Sequence, residues 1–192
     1  MTRKLPDPRL TGDGLLLRPW AETDLPLLAR AAEDDYIATI EHLPVPFSTE
    51  KGKAWIAEQH KLLGAGRGWT FAIVECGTGE SVGGIGIVFR HPPGAGEPGV
   101  WVIAERRNGG IAERATRLLC SWALANETGI ERIQATVEPW NVASQRVLEK
   151  AGFVREGLLR SYASWRGSRQ DVLLYSLLPS DLPGNHEASP GA

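Results

Sequence analysis

Cysteine is scarce: 192 residues carry only Cys76 and Cys120, which cannot make a disulfide framework. One falls in an expected strand and the other in an expected helix, and both read as buried, reduced thiols. The four histidines, His42, His60, His91 and His186, lack metal-ligand spacing, so no metal is expected. No apolar run approaches the roughly 20 residues that span a bilayer, and Met1 leads into Pro-rich polar sequence without a signal-peptide core. A net charge of −2 removes any argument for nucleic acid or an anionic membrane surface. These absences leave a cytoplasmic globular protein, long enough to bury a sizeable core as one domain.

The most informative stretch runs from Val100 to Thr128. Val100-Trp101-Val102-Ile103 has the β-type apolar run of a strand. The polar turn Ala104 to Gly110 carries Arg106, Arg107, Gly109 and Gly110. Ile111, Ala115, Leu118, Leu119 and Trp122 then recur at helical spacing. Strand, glycine-bearing turn and helix in that order make an anion site. The first helical turn has N–H groups without intrahelical acceptors, and the helix dipole favours negative charge there. The run lacks the Lys-Ser/Thr ending of a P-loop and the G-x-G-x-x-G of a dinucleotide fold.

The rest of the chain alternates strands and helices. Residues 1–14 read as a polar lead-in, 15–178 as the folded domain, and 179–192, rich in Gly, Pro and Ser, as a disordered tail. Leu15 to Arg18 reads as a strand stopped by Pro19, and a helix capped by Thr23 or Asp24 follows to about Asp34. His42 to Phe47 is extended because of Pro44 and Pro46, and a second helix runs to Gly64-Ala65-Gly66. Trp69–Cys76 and Ser81–Phe89 form a hairpin, with Gly83, Gly84 and Gly86 pointing to close backbone contact. His91 to Gly99 reads as a loop. Beyond the central helix come a strand at Arg132–Val137, a helix at Asn141–Ala151, and strands at Phe153–Tyr162 and Asp171–Leu177. This order implies an α/β (α+β) fold with one mixed sheet and helices on both faces.

Arg107-Asn108-Gly109-Gly110-Ile111-Ala112 resembles the Q/R-x-x-G-x-G/A signature of the GNAT superfamily of N-acetyltransferases. Asn108 and Gly109 stand where the nearest relatives carry Gly and Arg. Asn141-Val142-Ala143-Ser144, Leu148 to Phe153 and Glu156-Gly157 are similar to the N-x-x-S…EKxGF…EG block of the RimJ/RimL type, which acetylates ribosomal proteins. The resemblance covers about Leu15 to Leu178. It implies a mostly antiparallel sheet with a splay between its two central parallel strands.

The resemblance also implies a site. Acetyl-CoA would enter as co-substrate with its pantetheine between Val100–Ile103 and Arg132–Val137. A main-chain N–H near Val102, Ile103 or Ala104 would act on the thioester oxygen. Arg107 to Ala112 would hold the pyrophosphate, Asn141 the pantetheine arm, and Ser144 would be the proton donor near sulfur. A base must take a proton from the amine. Glu97 ranks first for this role, followed by Glu138 and Glu41. Tyr36, Glu41, Glu138, Trp140 and Trp165 are the candidate acceptor-binding residues, from the regions Tyr36–Phe47 and Tyr162–Gln170 and the turn at Trp140. The expected partners are acetyl-CoA and an amine, with a homodimer compatible with the subgroup. A protein N-terminal α-amine is the leading acceptor. The alternatives are a small amine, such as an amino acid, polyamine or antibiotic, or a non-catalytic acyl-CoA-binding module.

Overall fold

A computed structural model describes residues 9–90, 93–125, 129–165 and 167–183. Eight strands form one sheet in the order β1-β2-β3-β4-β5-β6-β8-β7. In the chain these are β1 (Leu10–Gly12), β2 (Leu15–Arg18), β3 (Gly68–Glu75), β4 (Ser81–Arg90), β5 (Ala95–Val102), β6 (Arg132–Val137), β7 (Val154–Trp165) and β8 (Ser168–Leu177). Five helices cover the sheet: α1 (Leu25–Ala31), α2 (Asp35–Ile40), α3 (Thr49–Gly64), α4 (Ile111–Ala125) and α5 (Val142–Lys150). Every strand pair is antiparallel except β5 with β6.

Each face of the sheet has its own core. On one, Ile111, Ala115, Leu119 and Ala123 of α4 pack with Leu15, Leu17, Phe71, Ile73 and Val102. These α4 positions are four residues apart, which places them on one stripe. On the other face, α1 to α3 supply Leu28, Ala31, Ile37, Trp55 and Ile56 against Ala72, Trp101 and Ile103. Trp101 and Val102 thus point to opposite sides, as strand alternation requires.

Several sequence expectations need correction. Asp24 does not cap its helix through its side chain. It is buried and takes a bidentate pair from Arg18 at 2.7 Å, a bond from Ser81 Oγ at 2.6 Å and one from the Ala21 N–H at 2.9 Å. The first helix ends early, and a second short one, α2, is capped by Asp34. Cys76 lies in the turn after β3 and is exposed, while Cys120 is buried as expected, and burial raises its thiol pKa. Tyr162 to Gln170 does not form a long recognition loop, because β7 runs to Trp165 and β8 restarts at Ser168. Leu10–Gly12 pairs with β2, and Leu182 joins the α4-side core.

The expected loop from His91 to Gly99 is largely strand. His91 and Pro92 lie outside the described residues, and Ala95 to Gly99 pair with β4. The Ile103 N–H donates to Val82 O at 3.0 Å. By the alternation of an antiparallel ladder, Glu97, Gly99 and Trp101 therefore also turn their peptide groups to β4, whereas Gly96, Pro98, Val100 and Val102 turn theirs toward β6. Pro98 is tolerated because the N–H it lacks would not have faced β4. The same fact limits the parallel ladder. Among the described residues β5 meets β6 only at Ala95 with Arg132 and Gly96 with Ile133, and the next donor on that edge would have been Pro98.

Candidate active site

The start of α4 has the geometry of an anion cradle. Asn108 and Gly110 have φ of 65° and 71°, the left-handed region that Gly adopts freely and Asn tolerates. Gly110 O accepts the Arg114 N–H at 3.0 Å, which begins the helix. Among the described residues no acceptor is found for the N–H groups of Asn108 to Glu113. A Cβ added at Gly110 would meet nothing within 4 Å. The loop is exposed, its donors point outward, and the 15-residue helix behind it adds its dipole.

The two arginines before this loop are already engaged. Arg106 pairs with Glu80 and, at 3.5 Å, with Glu75. Arg107 Nη2 lies 2.6 Å from Asp34 Oδ2, and its Nε donates to Val102 O at 2.9 Å. Asp34 Oδ1 meanwhile accepts the N–H groups of Tyr36 and Ile37. One carboxylate therefore ties the glycine loop to α2. Arg114 brings a further charge, reaching Asp13 O at 2.5 Å and Gly109 O at 3.4 Å.

Beyond Gly96, β5 and β6 part. The Val102 N–H faces the opening, whereas the Ile103 N–H is spent on Val82, so Ile103 drops out of the three donors considered for a carbonyl. Beside the opening, Asn141 caps α5, its Oδ1 accepting the Ser144 N–H at 3.1 Å. Asn141 Nδ2 donates to the Tyr36 hydroxyl at 3.2 Å. Tyr36 stands edge-on to Trp140 at 6.0 Å, and burial, then the Glu138 charge, push its phenol above its ordinary 10. Tyr36, Glu138, Trp140 and Asn141 thus meet at one point, with Ser144 one turn into α5. Trp140 is 60% exposed, so one face of this cluster is open to solvent.

A second concavity of about 370 Å³ lies between α3, the end of α2 and strands β3 to β5. Trp20, Trp55, Trp101, Glu41, His42 and Glu97 are in its walls. Trp20 stacks on Trp101 at 6.0 Å and meets Trp55 edge-on at 5.2 Å. Gly84 makes room for this stack, since a Cβ there would lie 2.6 Å from the Trp101 ring and 2.8 Å from Trp20. Desolvation lifts the Glu41 carboxyl to about 7.

Comparison with known proteins agrees with this fold. The family described as Acetyltransferase (GNAT) domain matches residues 14–154. The chain belongs to the GNAT acetyltransferase family. An uncharacterized N-acetyltransferase of Bacillus subtilis (strain 168), YoaA, is 29% identical over 172 residues, 89% of this chain and 97% of that protein. Mycobacterium smegmatis RimJ in complex with CoA-disulfide superposes with a TM-score of 0.77 at 26% identity, covering 95% of this chain and 92% of that one. The ribosomal-protein-S5-alanine acetyltransferase from Vibrio fischeri has a TM-score of 0.73 at 23% identity, covering 91% and 98%.

Within this GNAT frame the expected residues fall into three groups. Arg107 to Ala112 form the loop, with Val102 to Ala104 leading into it. Tyr36, Glu138, Trp140, Asn141 and Ser144 gather at the start of α5. Glu41 and Glu97 lie in the tryptophan-walled cavity. Trp165 ends β7, paired with Ser168 at the β7–β8 turn, and its side chain lies outside the described residues. Sequence reasoning missed Asp34 and Arg114. The Asp34-Asp35 pair before Tyr36 is a readable cap signal, but nothing local announces the bond to Arg107. Among the described residues no His/Cys/Asp/Glu group could hold a metal, and no helix is long and apolar enough to cross a membrane.

Proposed function

We propose that this enzyme moves the acetyl group of acetyl-CoA to a primary amine by direct attack in a ternary complex, with a protein N-terminal α-amine as the leading acceptor. The observation that carries the proposal is the row of N–H groups from Asn108 to Glu113 without acceptors among the described residues, beside strands that part after Gly96. Such donors suit a diphosphate, and the open strand edges suit the amides of a pantetheine arm. Val102 or Ala104 would supply the N–H that polarises the thioester carbonyl, Asn141 would bond the arm, and Ser144 would give a proton to the leaving sulfur. The names of the RimJ and S5-alanine enzymes support a protein acceptor. Two carboxylates in the tryptophan-walled cavity favour a second reading, a small cationic amine.

The test is a coenzyme A release assay on peptides with different N-terminal residues, run beside small amines. Acetyl-dependent thiol release with either class supports transfer and separates the two readings. Calorimetric binding of coenzyme A with no release across the panel would instead mark a non-catalytic acyl-CoA-binding module.

A further inference from the structure

The cavity walled by Trp20, Trp55 and Trp101 contains an uncompensated carboxylate. Glu41 is half-buried and lines the cavity, and among the described residues no cation pairs with it. Its main chain is fixed, because Glu41 O accepts the Trp55 Nε1–H at 3.0 Å. The titratable groups that line the cavity with it are His42 on its own loop and Glu97 on β5, while His60 on α3 reaches only the back of the wall, its Nε2 2.7 Å from Trp20 O. Among the described residues no lysine or arginine lines the cavity. The Trp20 indole N–H, on a residue only 3% exposed, also has no partner among the described residues.

A carboxylate partly removed from water without a counter-ion is costly, and a cation arriving beside it offsets that cost. Indole faces attract an ammonium group and also accept an apolar chain. The walls therefore suit one ligand chemistry, a positive nitrogen on an apolar stem.

We propose that this cavity receives the acceptor as a primary ammonium on an apolar stem, and that Glu41, rather than Glu97, takes its proton. The proposal rests on the acetyltransferase reading and deepens it. The carboxylate takes one proton from R–NH₃⁺, leaving the neutral amine with its lone pair. That pair forms the C–N bond to the thioester carbonyl carbon, and the C–S bond breaks as the carbonyl reforms. Ser144 gives its proton to the departing sulfur and recovers the second nitrogen proton, and the Glu41 proton goes to water. Burial, which raises Glu41 to about 7, gives the group a proton affinity suited to both taking and releasing a proton near neutral pH.

The test uses the full chain and reads intrinsic tryptophan fluorescence, since three tryptophans line the cavity. Phenethylamine should bind at least ten times more tightly than phenethyl alcohol. A Leu-led tripeptide serves as the second arm and shows whether a peptide N-terminus or a free amine supplies the ammonium. Glu41→Gln should lose at least tenfold in amine affinity while its calorimetric affinity for coenzyme A stays at the wild-type value. With whichever arm turns over, kcat/KM should fall below about pH 7 in wild type and in Glu97→Gln, and this acidic limb should vanish in Glu41→Gln. Equal binding of amine and alcohol overturns the proposal, as does an acidic limb that survives in Glu41→Gln or disappears in Glu97→Gln. Loss of coenzyme A binding by the wild type would sink the acetyltransferase reading separately, because the fluorescence titration needs no coenzyme A.

Discussion

Asn141 Nδ2 lies 3.2 Å from the Tyr36 hydroxyl and donates to it, joining α2 to the first turn of α5 across 105 residues of chain. The same Asn141 side chain turns its oxygen to the Ser144 N–H. One amide thus uses both ends, capping a helix and fixing a phenol.

These two tasks can be separated. Asn141→Ala removes both and should cost about 1 kcal/mol of stability, lowering Tm by about 2–4 °C. Asn141→Asp keeps the capping oxygen but loses the donor to Tyr36. It should unfold near the wild-type denaturant midpoint while still lowering turnover. Matching unfolding midpoints for Asn141→Ala and wild type would show that the cap contributes nothing.

Gly110→Leu should raise KM for acetyl-CoA at least about tenfold, because the open space at Gly110 is where an anion would meet the amides. Its φ of 71° adds strain of about 1–3 kcal/mol to any substitution. Gly110→Ala carries much of that strain with a small side chain and provides the comparison. An unchanged KM in the leucine variant, measured by steady-state kinetics, would place the phosphates elsewhere.

Ser144→Ala should lower kcat by about tenfold or more, short of the full effect of a strong general acid, since a hydroxyl is a weak one. The calorimetric affinity for coenzyme A should barely change. Wild-type turnover would take Ser144 out of the mechanism.

Asp34 links stability to pH. Desolvation acts to raise its pKa, but hydrogen bonds from Arg107 and from the Ile37 and Tyr36 N–H groups outweigh this and hold it below its ordinary 3.8. A depressed carboxyl contributes fully above its unfolded value and loses that contribution as pH falls through the lower folded one. Asp34→Ala should therefore destabilise by about 1–2 kcal/mol at pH 7, with the gap to wild type closing in strong acid. A gap that is flat from pH 7 to pH 2 in denaturant titrations would contradict this.

Glu41 has the opposite sign. Its carboxyl is raised from an ordinary 4.5 to about 7, so the folded chain holds the proton more tightly and stability falls as pH rises between these values. At about 1.36 kcal/mol per tenfold change in proton affinity, the loss is on the order of 3 kcal/mol. Glu41→Gln should abolish this slope and be the more stable protein at pH 8. Parallel stability curves for the two proteins from pH 4 to pH 8 would refute the burial argument.

Much of this molecule was legible in its sequence. The spacing of Ile111, Ala115 and Leu119 made α4 a one-faced helix, and a glycine turn before such a helix leaves donors open wherever it occurs. Asn141, three residues before Ser144, announced a capped helix in the same local way. The loop expected over Ala95 to Gly99 shows the limit. Gly and Pro read as loop residues, yet β4 supplies a partner for each of them and Pro98 happens to face the other edge.

The sequence by itself determined where helices start and which stripe of each is apolar, because those are properties of neighbours within one or two turns. Tertiary structure alone decided that Arg107 would find Asp34 and that three tryptophans distant in the chain would enclose Glu41. It also decided that Pro98, which has no N–H to give, would face β6, so that the β5–β6 ladder ends after Gly96. An ion pair depends on distance in space and a raised pKa on excluded water, and both arise only once remote segments have packed together.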